Sequence, residues 1–392
     1  MKQLVLAFFN SMKTFFKKIF SKDAIMAYFF LMLSIGLYLM PSLHKDTNKE
    51  YIAEQCKATV LSVDNSNLRV LGILQNGEQT LKIKVLSGSF KGREITAINQ
   101  LTARKGSDKI FEPGDTAFVV LTKNKDNELV LAVAMDYYRL DLTIILIVLF
   151  SVLLIAFGGV VGAKALLSFI FSCLMIFKIV VPLTLQGWDP IWLAFTSVVI
   201  LTAVIIFLVT GLTRCGLSAF SGAIAGVLTT CLLATLFTDL FRINGAVMPF
   251  SEILLYSGYQ DLNLSSVFIA GVFFASSGAV MDLAVDISTG MSEIIAKRPD
   301  ISRVQLGLSG IKIGRAVVGT MTTTLLLAYS GGYFTLLMAF TAQNIPVANF
   351  LNYNQISSEI VKTLVGSLGL ILVAPFTALI ASVILKKTTQ KS

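Results

Sequence analysis

The chain has 392 residues, of which 55% are apolar and only 14% charged, and its mean hydropathy is +0.77. Such a composition excludes an ordinary water-soluble domain and is that of a multi-spanning membrane protein. The net charge of +9 is spread over short segments beside apolar runs, which argues against a nucleic-acid partner and for a lipid bilayer.

Residues 1–23 interleave Lys13, Lys17, Lys18 and Lys22 with phenylalanines, a basic amphipathic pattern suited to anionic headgroups on the cytoplasmic side. Ala24 to Met40, closed by Pro41, reads as a first membrane span retained as an anchor. From residue 44 to 139 the period changes. Leu81, Ile83 and Val85 alternate with Lys82 and Lys84, and Ala117–Leu121 and Leu129–Val133 are short β-like runs. Asn76-Gly77 signals a hairpin turn between Leu71–Leu74 and Leu81–Val85. The sum is five or six strands in a small all-β, OB- or SH3-like module that is extracytoplasmic.

The rest, 140–385, predicts a seven-helix membrane bundle. The spans fall near Leu142–Val161, Ala165–Leu183, Ile191–Val209, Leu217–Leu240, Leu264–Ile287, Ala316–Phe340 and Ile360–Leu385. Gly162–Ser168 joins the first two of these. Basic residues such as Lys164, Arg214, Lys297, Arg298 and Lys386 collect in the loops of one side. Asp189, Glu252, Asp261, Glu359 and Lys362 fall in those of the other. The fold class expected is therefore a polytopic α-helical membrane protein of about eight transmembrane helices in a bacterial plasma membrane. Both termini, including the basic tail at 386–392, are cytoplasmic. Lys297 to Leu308 reads as a short separate cytoplasmic helix starting at Pro299 or Asp300.

Four cysteines (Cys56, Cys173, Cys215, Cys231) are too scattered for a disulfide framework or a zinc site, and His44 is the single histidine. No Walker A, G-x-S-x-G or H-E-x-x-H motif occurs, so the sequence implies no enzyme, no cofactor and no metal. The chemistry concentrates instead in the sixth and seventh spans. Asp282 and Asp286 stand four residues apart on one helical face, where a carboxylate costs about 2.5–3.5 kcal/mol at mid-bilayer. They predict a face that binds a cation or proton, against the plainer reading that both simply reach cytoplasmic water. Ser276 and Ser277 precede them, and Thr322, Thr323 and Thr324 on the next span would line a polar path or merely bond their own backbone. Arg315 is a candidate counter-charge. Lys178 either joins the path or extends its stem outward. Gly331-Gly332 suggests a broken helix. Asp239 and Arg242 are spaced to pair.

Gly278-Ala-Val-Met-Asp282 with Ile287-Ser288 and Glu293 downstream, then Ile313-Gly-Arg315, Gly319-Thr-Met-Thr-Thr-Thr-Leu325 and Ala328-Tyr-Ser-Gly331, resembles the YibE/F-like bacterial membrane proteins. The likeness runs over about 140–385 and carries Asp282, Arg315, Thr323 and Leu325 as matching positions, while the type of residue at Asp286 varies. It implies a multi-spanning protein described at most as a permease, with the substrate left open. The function expected is thus a permease for an unknown small solute or ion. The alternative is a membrane-anchored receptor or assembly factor whose β-module binds a protein or wall partner. Lipid or polyprenol handling is a third, weaker reading.

Overall fold

The computed structural model describes residues 22–41, 52–124 and 126–386. The basic segment before residue 22, His44 and the tail from Lys387 lie outside them. Two compact units divide the chain, one spanning His44–Leu154 and the other Met1–Leu43 with Ile155–Ser392.

The first unit contains a small β-barrel. Its strands are β1 (Ile52–Asp64), β2 (Leu68–Leu71), β3 (Leu74–Val85), β4 (Glu94–Thr102), β5 (Thr116–Lys123) and β6 (Leu129–Tyr137). They run in the order β1-β5-β6-β4-β3-β2, and a further β1–β3 pairing closes the sheet on itself. The pairings are antiparallel apart from a parallel bridge between β4 and β6 at Ile98 and Val133. The alternation read from sequence is the cause of the barrel's core. Leu81, Ile83 and Val85 point in, together with Ala117, Val119 and Leu121, while Lys82 and Lys84 face out. Gln79, fully buried, accepts from the Phe111 backbone N–H (3.0 Å) and donates to its carbonyl (2.9 Å), so the Phe111 ring is fixed in the core by a satisfied polar group.

The expected Asn76-Gly77 turn is not a turn. Both residues lie inside β3, and the chain reverses at Gly72-Ile73, closed by the Leu71–Leu74 pair. Gly72, at φ 63°, supplies the positive φ that a two-residue hairpin loop requires. Gly77 serves a different need. Beside it β2 comes so close that a Cβ would stand 3.3 Å from the Asn67 carbonyl carbon.

The helices are α1 (Lys22–Leu39), α2 (Leu140–Met175), α3 (Val181–Leu185), α4 (Pro190–Thr210), α5 (Arg214–Leu240) and α6 (Ser251–Tyr256), followed by α7 (Leu264–Lys297), α8 (Arg303–Gly332), α9 (Phe334–Ala342), α10 (Val347–Asn352) and α11 (Asn354–Ile384). A π-helical turn at Ile176–Val180 links α2 to α3. Side-chain caps set the starts of the long ones. Asp189 accepts from Ile191 and Trp192 ahead of α4, Asn263 from Ser266 ahead of α7, and Ser302 from Gln305 ahead of α8. Small residues set how they pack. Gly222 of α5 sits against Thr377 of α11, Gly226 against Val373, and Gly369 of α11 against Thr230. On the other side, Gly310 and Gly314 of α8 meet Ala378 and Ala374. Lipid tails are as apolar as leucine, so close approach of backbones, not solvent exclusion, holds such helices together.

Among the described residues six helical stretches are long and apolar enough to cross a membrane, as a multi-pass membrane protein requires. The expectation of spans at Leu142–Val161 and Ala165–Leu183 joined by a loop at Gly162 needs correction. Leu140–Leu185 is one apolar helical stretch, Lys164 lies within its helix, and the backbone leaves helical geometry earlier, at Gly159 (φ 53°, ψ −127°). Only glycine takes that conformation without strain, whereas Gly162-Ala-Lys-Ala remains compatible with helix. The segment expected as the first span, Ala24–Met40, forms helix α1, whose apolar portion Ile25–Leu39 is shorter than those six. The separate helix at Lys297–Leu308 is absent. Lys297 ends α7, and Ser302, which accepts from the Gln305 N–H, opens the longer α8. Helix α8 stops at Gly332 and resumes after Tyr333, a break at the two glycines.

At the barrel rim Glu54 is ion-paired with Lys123 and accepts from the Ser89 N–H (2.6 Å) and hydroxyl. These contacts, Lys123 foremost, hold its pKa at about 2 against an ordinary 4.5. The unfolded carboxylate protonates first as pH falls, so this contribution to stability is present above 4.5 and drains away toward about 2. Lys123→Met is expected to cost about 1–3 kcal/mol at neutral pH and to narrow that acid window, the Ser89 bonds remaining. Amide hydrogen exchange of β1 and β5 in the full chain checks it. Protection should fall between about pH 5 and about pH 3 in the wild type and change less in the variant. In the bundle, Gly369→Val drives a side chain into Thr230 and is expected to cost about 3 kcal/mol or more, read as thermal unfolding in detergent. Gly271→Val, where a Cβ meets nothing within 4 Å, serves as the neutral comparison.

Candidate substrate cleft on helix α7

Helix α7 is buried on most of its circumference. Between Ser266 and Met291 its exposed residues are Gly271, Ala275, Gly278, Asp282, Asp286 and Thr289. Their spacing of three or four makes one stripe along the helix. The two carboxylates therefore stand on the single open face of a packed helix, about 6 Å apart along its axis. They line a cleft of about 430 Å³ whose walls are Ile205, Ile206 and Val209 of α4, Met281 and Val285 of α7, and Val317 and Met321 of α8. Among the described residues neither acid is ion-paired.

The other predicted site residues are distributed differently. Arg315 is exposed on α8, two residues before Val317 of the cleft wall, and makes no ion pair with either acid. Ser276 and Ser277 are buried and donate to Phe273 O (3.2 Å) and Phe274 O (2.8 Å) of their own helix. Thr322, Thr323 and Thr324 do the same, to Val318, Gly319 and Thr320 carbonyls, and none of them lines the cleft. Intrahelical bonding, which a lipid environment favours for a lone hydroxyl, has won over a shared polar path. Lys178 lies in the π-helical turn and donates to the Met40 carbonyl (3.1 Å), capping the end of α1 away from the acids. Asp239 and Arg242 form no ion pair. The Arg242 N–H instead bonds the Asp239 carbonyl at 3.0 Å as the helix ends.

A second polar cluster escaped the sequence reading, which put Glu359 and Lys362 in a loop. Both lie on α11, ion-paired at 2.7 Å, with the Lys362 ammonium 5.9 Å over the Tyr329 ring of α8. The Tyr329 hydroxyl is buried with no hydrogen-bond partner. The signal available beforehand was the three-residue spacing of the pair.

Comparison with known proteins gives two matches. The YibE/F-like protein family profile matches residues 146–387, and that of the YibE/F family N-terminal domain matches 52–135. No curated protein matches, and no solved structure matches.

The stripe predicts a pattern of thiol reactivity in a chain from which the native cysteines have been replaced by serine or alanine. Cysteine at Asp286 or Asp282 should react with a maleimide delivered to the membrane-embedded protein, and cysteine at the buried Ala284 should not. Equal labelling at all three would mean that α7 has no preferred open face.

Proposed function

The chain belongs to the YibE/F-like family, and on that footing we propose that its bundle is a permease of the bacterial plasma membrane. In this reading Asp282 and Asp286 receive a cation, a proton or a cationic group. The observation that carries it is the pair of unpaired carboxylates on the open stripe of α7, inside an otherwise apolar cleft. Each exposed acid at bilayer depth costs about 2.5–3.5 kcal/mol in an empty cleft, falling toward the interface. A positively charged ligand relieves that cost, and so binds best where the walls exclude water.

The topology that accompanies this reading has eight crossings. The break at Gly159 divides Leu140–Leu185 into lengths of about 28 Å and 39 Å at 1.5 Å per residue, each enough for the hydrocarbon core. With α1, α4, α5, α7, α8 and α11 these make eight, and both termini are cytoplasmic. Arg214, Lys297, Arg298 and Lys386 then share the cytoplasmic side. The β-module is extracytoplasmic, and its strand order, with β4 parallel to β6 and β1 bridging β3 and β5, supports an OB-like barrel.

A receptor role finds support in one feature of the barrel. Val70 of β2 and Ile73 of the β2–β3 turn are 69% and 83% exposed, and Ile73 lines a pocket of about 310 Å³ edged by Arg104 and Lys105. Val70→Ser with Ile73→Ser separates the readings, since it leaves flux intact for a permease and abolishes the cellular role for a receptor.

Reconstituted vesicles provide the direct test. Flux of protons, alkali cations and small primary amines should fall at least about tenfold in Asp282→Asn, a loss of about 1.4 kcal/mol or more of binding to the moving state. Asp286→Asn should fall less. Undiminished flux of every probe in a well-folded Asp282→Asn protein ends this assignment.

A further inference from the structure

The open stripe of α7 does not stop at the acids. Toward its Leu264 end, Gly271, Phe274 and Ala275 enter a second cavity of about 620 Å³, closed by Ile176 and Val180 of the π-helical turn and by Leu254 and Leu262. Its lining is apolar except for Thr184. It shares Thr184, Leu185 and Leu262 as walls with a neighbouring recess of about 200 Å³ that Gln186, Tyr259 and Asp261 also line. Helix α4 flanks the two larger cavities, with Pro190 and Ala194 beside the apolar one and Ile205, Ile206 and Val209 beside the acids. Between the two cavities stands Gly278, exposed, where a Cβ would meet nothing within 4 Å.

From these observations we infer that the seam of α4 and α7 is a track for a membrane amphiphile whose headgroup carries a primary ammonium, alone or beside a phosphate. This rests on the permease reading and names its substrate class. The order along the seam is a polar mouth bearing Asp261, an apolar groove, a glycine saddle and the acidic cleft. Gly271 to Asp286 spans about 22 Å of helix axis, most of the thickness of the hydrocarbon. A bare metal cation is poorly served here. It needs six or more oxygen ligands, or octahedral water, whereas the Ser276, Ser277 and Thr322 hydroxyls do not line the acidic cleft. An ammonium needs only charge and a few acceptors. Its attached tail gains from the apolar walls, and a groove open along its side lets that tail stay in lipid while the head passes. The acids at both ends, Asp261 at one and Asp282 with Asp286 at the other, repel an anionic headgroup and attract an amine.

The experiment uses the full chain in phosphatidylcholine vesicles carrying phosphatidylethanolamine fluorescently labelled on its acyl chain, or phosphatidylglycerol bearing the same label. A membrane-impermeant quencher reads movement between leaflets. The amine-headed probe should cross at least tenfold faster than the anionic one. Gly278→Leu, which fills the saddle without a clash, and Asp282→Asn should each slow it at least tenfold. Gly36→Leu, at an equally open position of α1, should not. Flux of small cations that depends on Asp282, with no movement of either lipid, overturns the amphiphile and leaves the permease reading standing. Lipid movement equal for both headgroups and unaffected by Gly278→Leu overturns the track. Indifference of all probes to Asp282→Asn overturns both readings together.

Discussion

Close approach of backbones at small residues is the constraint on which this bundle depends. In a bilayer the helices gain nothing by hiding apolar surface from one another, so contact area and dispersion must do the work that water does elsewhere. Helix α11 supplies the contact on two sides, Gly369 and Thr377 against α5, and Ala374 and Ala378 against the glycines of α8. A single added methyl group at Gly226 would stand 2.8 Å from Val280 and Val373, so three helices meet there with no slack. That tightness fixes the rotation of α7. With Val280, Leu283, Ala284 and Ile287 turned inward, the residues left outside are the glycines, the alanine and the acids.

The two charged pairs of the bundle then differ in kind. Glu359 and Lys362 neutralise each other on one helix, and Tyr329 shields the ammonium. Such a pair, once satisfied, holds α11 to α8 and offers little to a ligand, because breaking it would strand a charge. Asp282 and Asp286 have the same sign, lie on the same face and lack a protein cation. A carboxylate in an apolar setting is costly without a cation or water beside it, and the cleft between α4 and α8 is the space that both acids line.

How far sequence could lead follows from the same physics. Alternation in β3 and β5 and the cost of acids in an apolar run are local signals; the first gave the barrel's inward residues, and the second singled out the two acids that line the α7 cleft. The turn at Gly72-Ile73 was hidden by a stronger Asn-Gly signal four residues on, because β2 pairs with β3 across Gly77 and makes that glycine a strand residue. The hydroxyls of Ser276, Ser277 and Thr322–Thr324 were legible as polar groups, but whether a hydroxyl faces a neighbour or its own carbonyl depends on rotamer and packing. Periodicity showed that Asp282 and Asp286 share a face, and no pattern in one chain could say that Gly271 and Gly278 share it uncovered.

Under the proposed permease reading, that uncovered line bears on what the cleft would move. An enclosed channel would surround its acids with hydroxyls and carbonyls from several helices, replacing the hydration shell of an ion step by step. Here the walls beside the acids are isoleucine, valine and methionine, and the opening is lateral along one helix face. A solute with no apolar part would lose water on entering and gain only two carboxylates in return. One that carries its own apolar portion loses far less, since that portion never leaves a hydrocarbon environment. The same apolar walls that make the cleft a poor ion channel suit it to a molecule with one charged end, and they concentrate the field of Asp282 and Asp286 on that end.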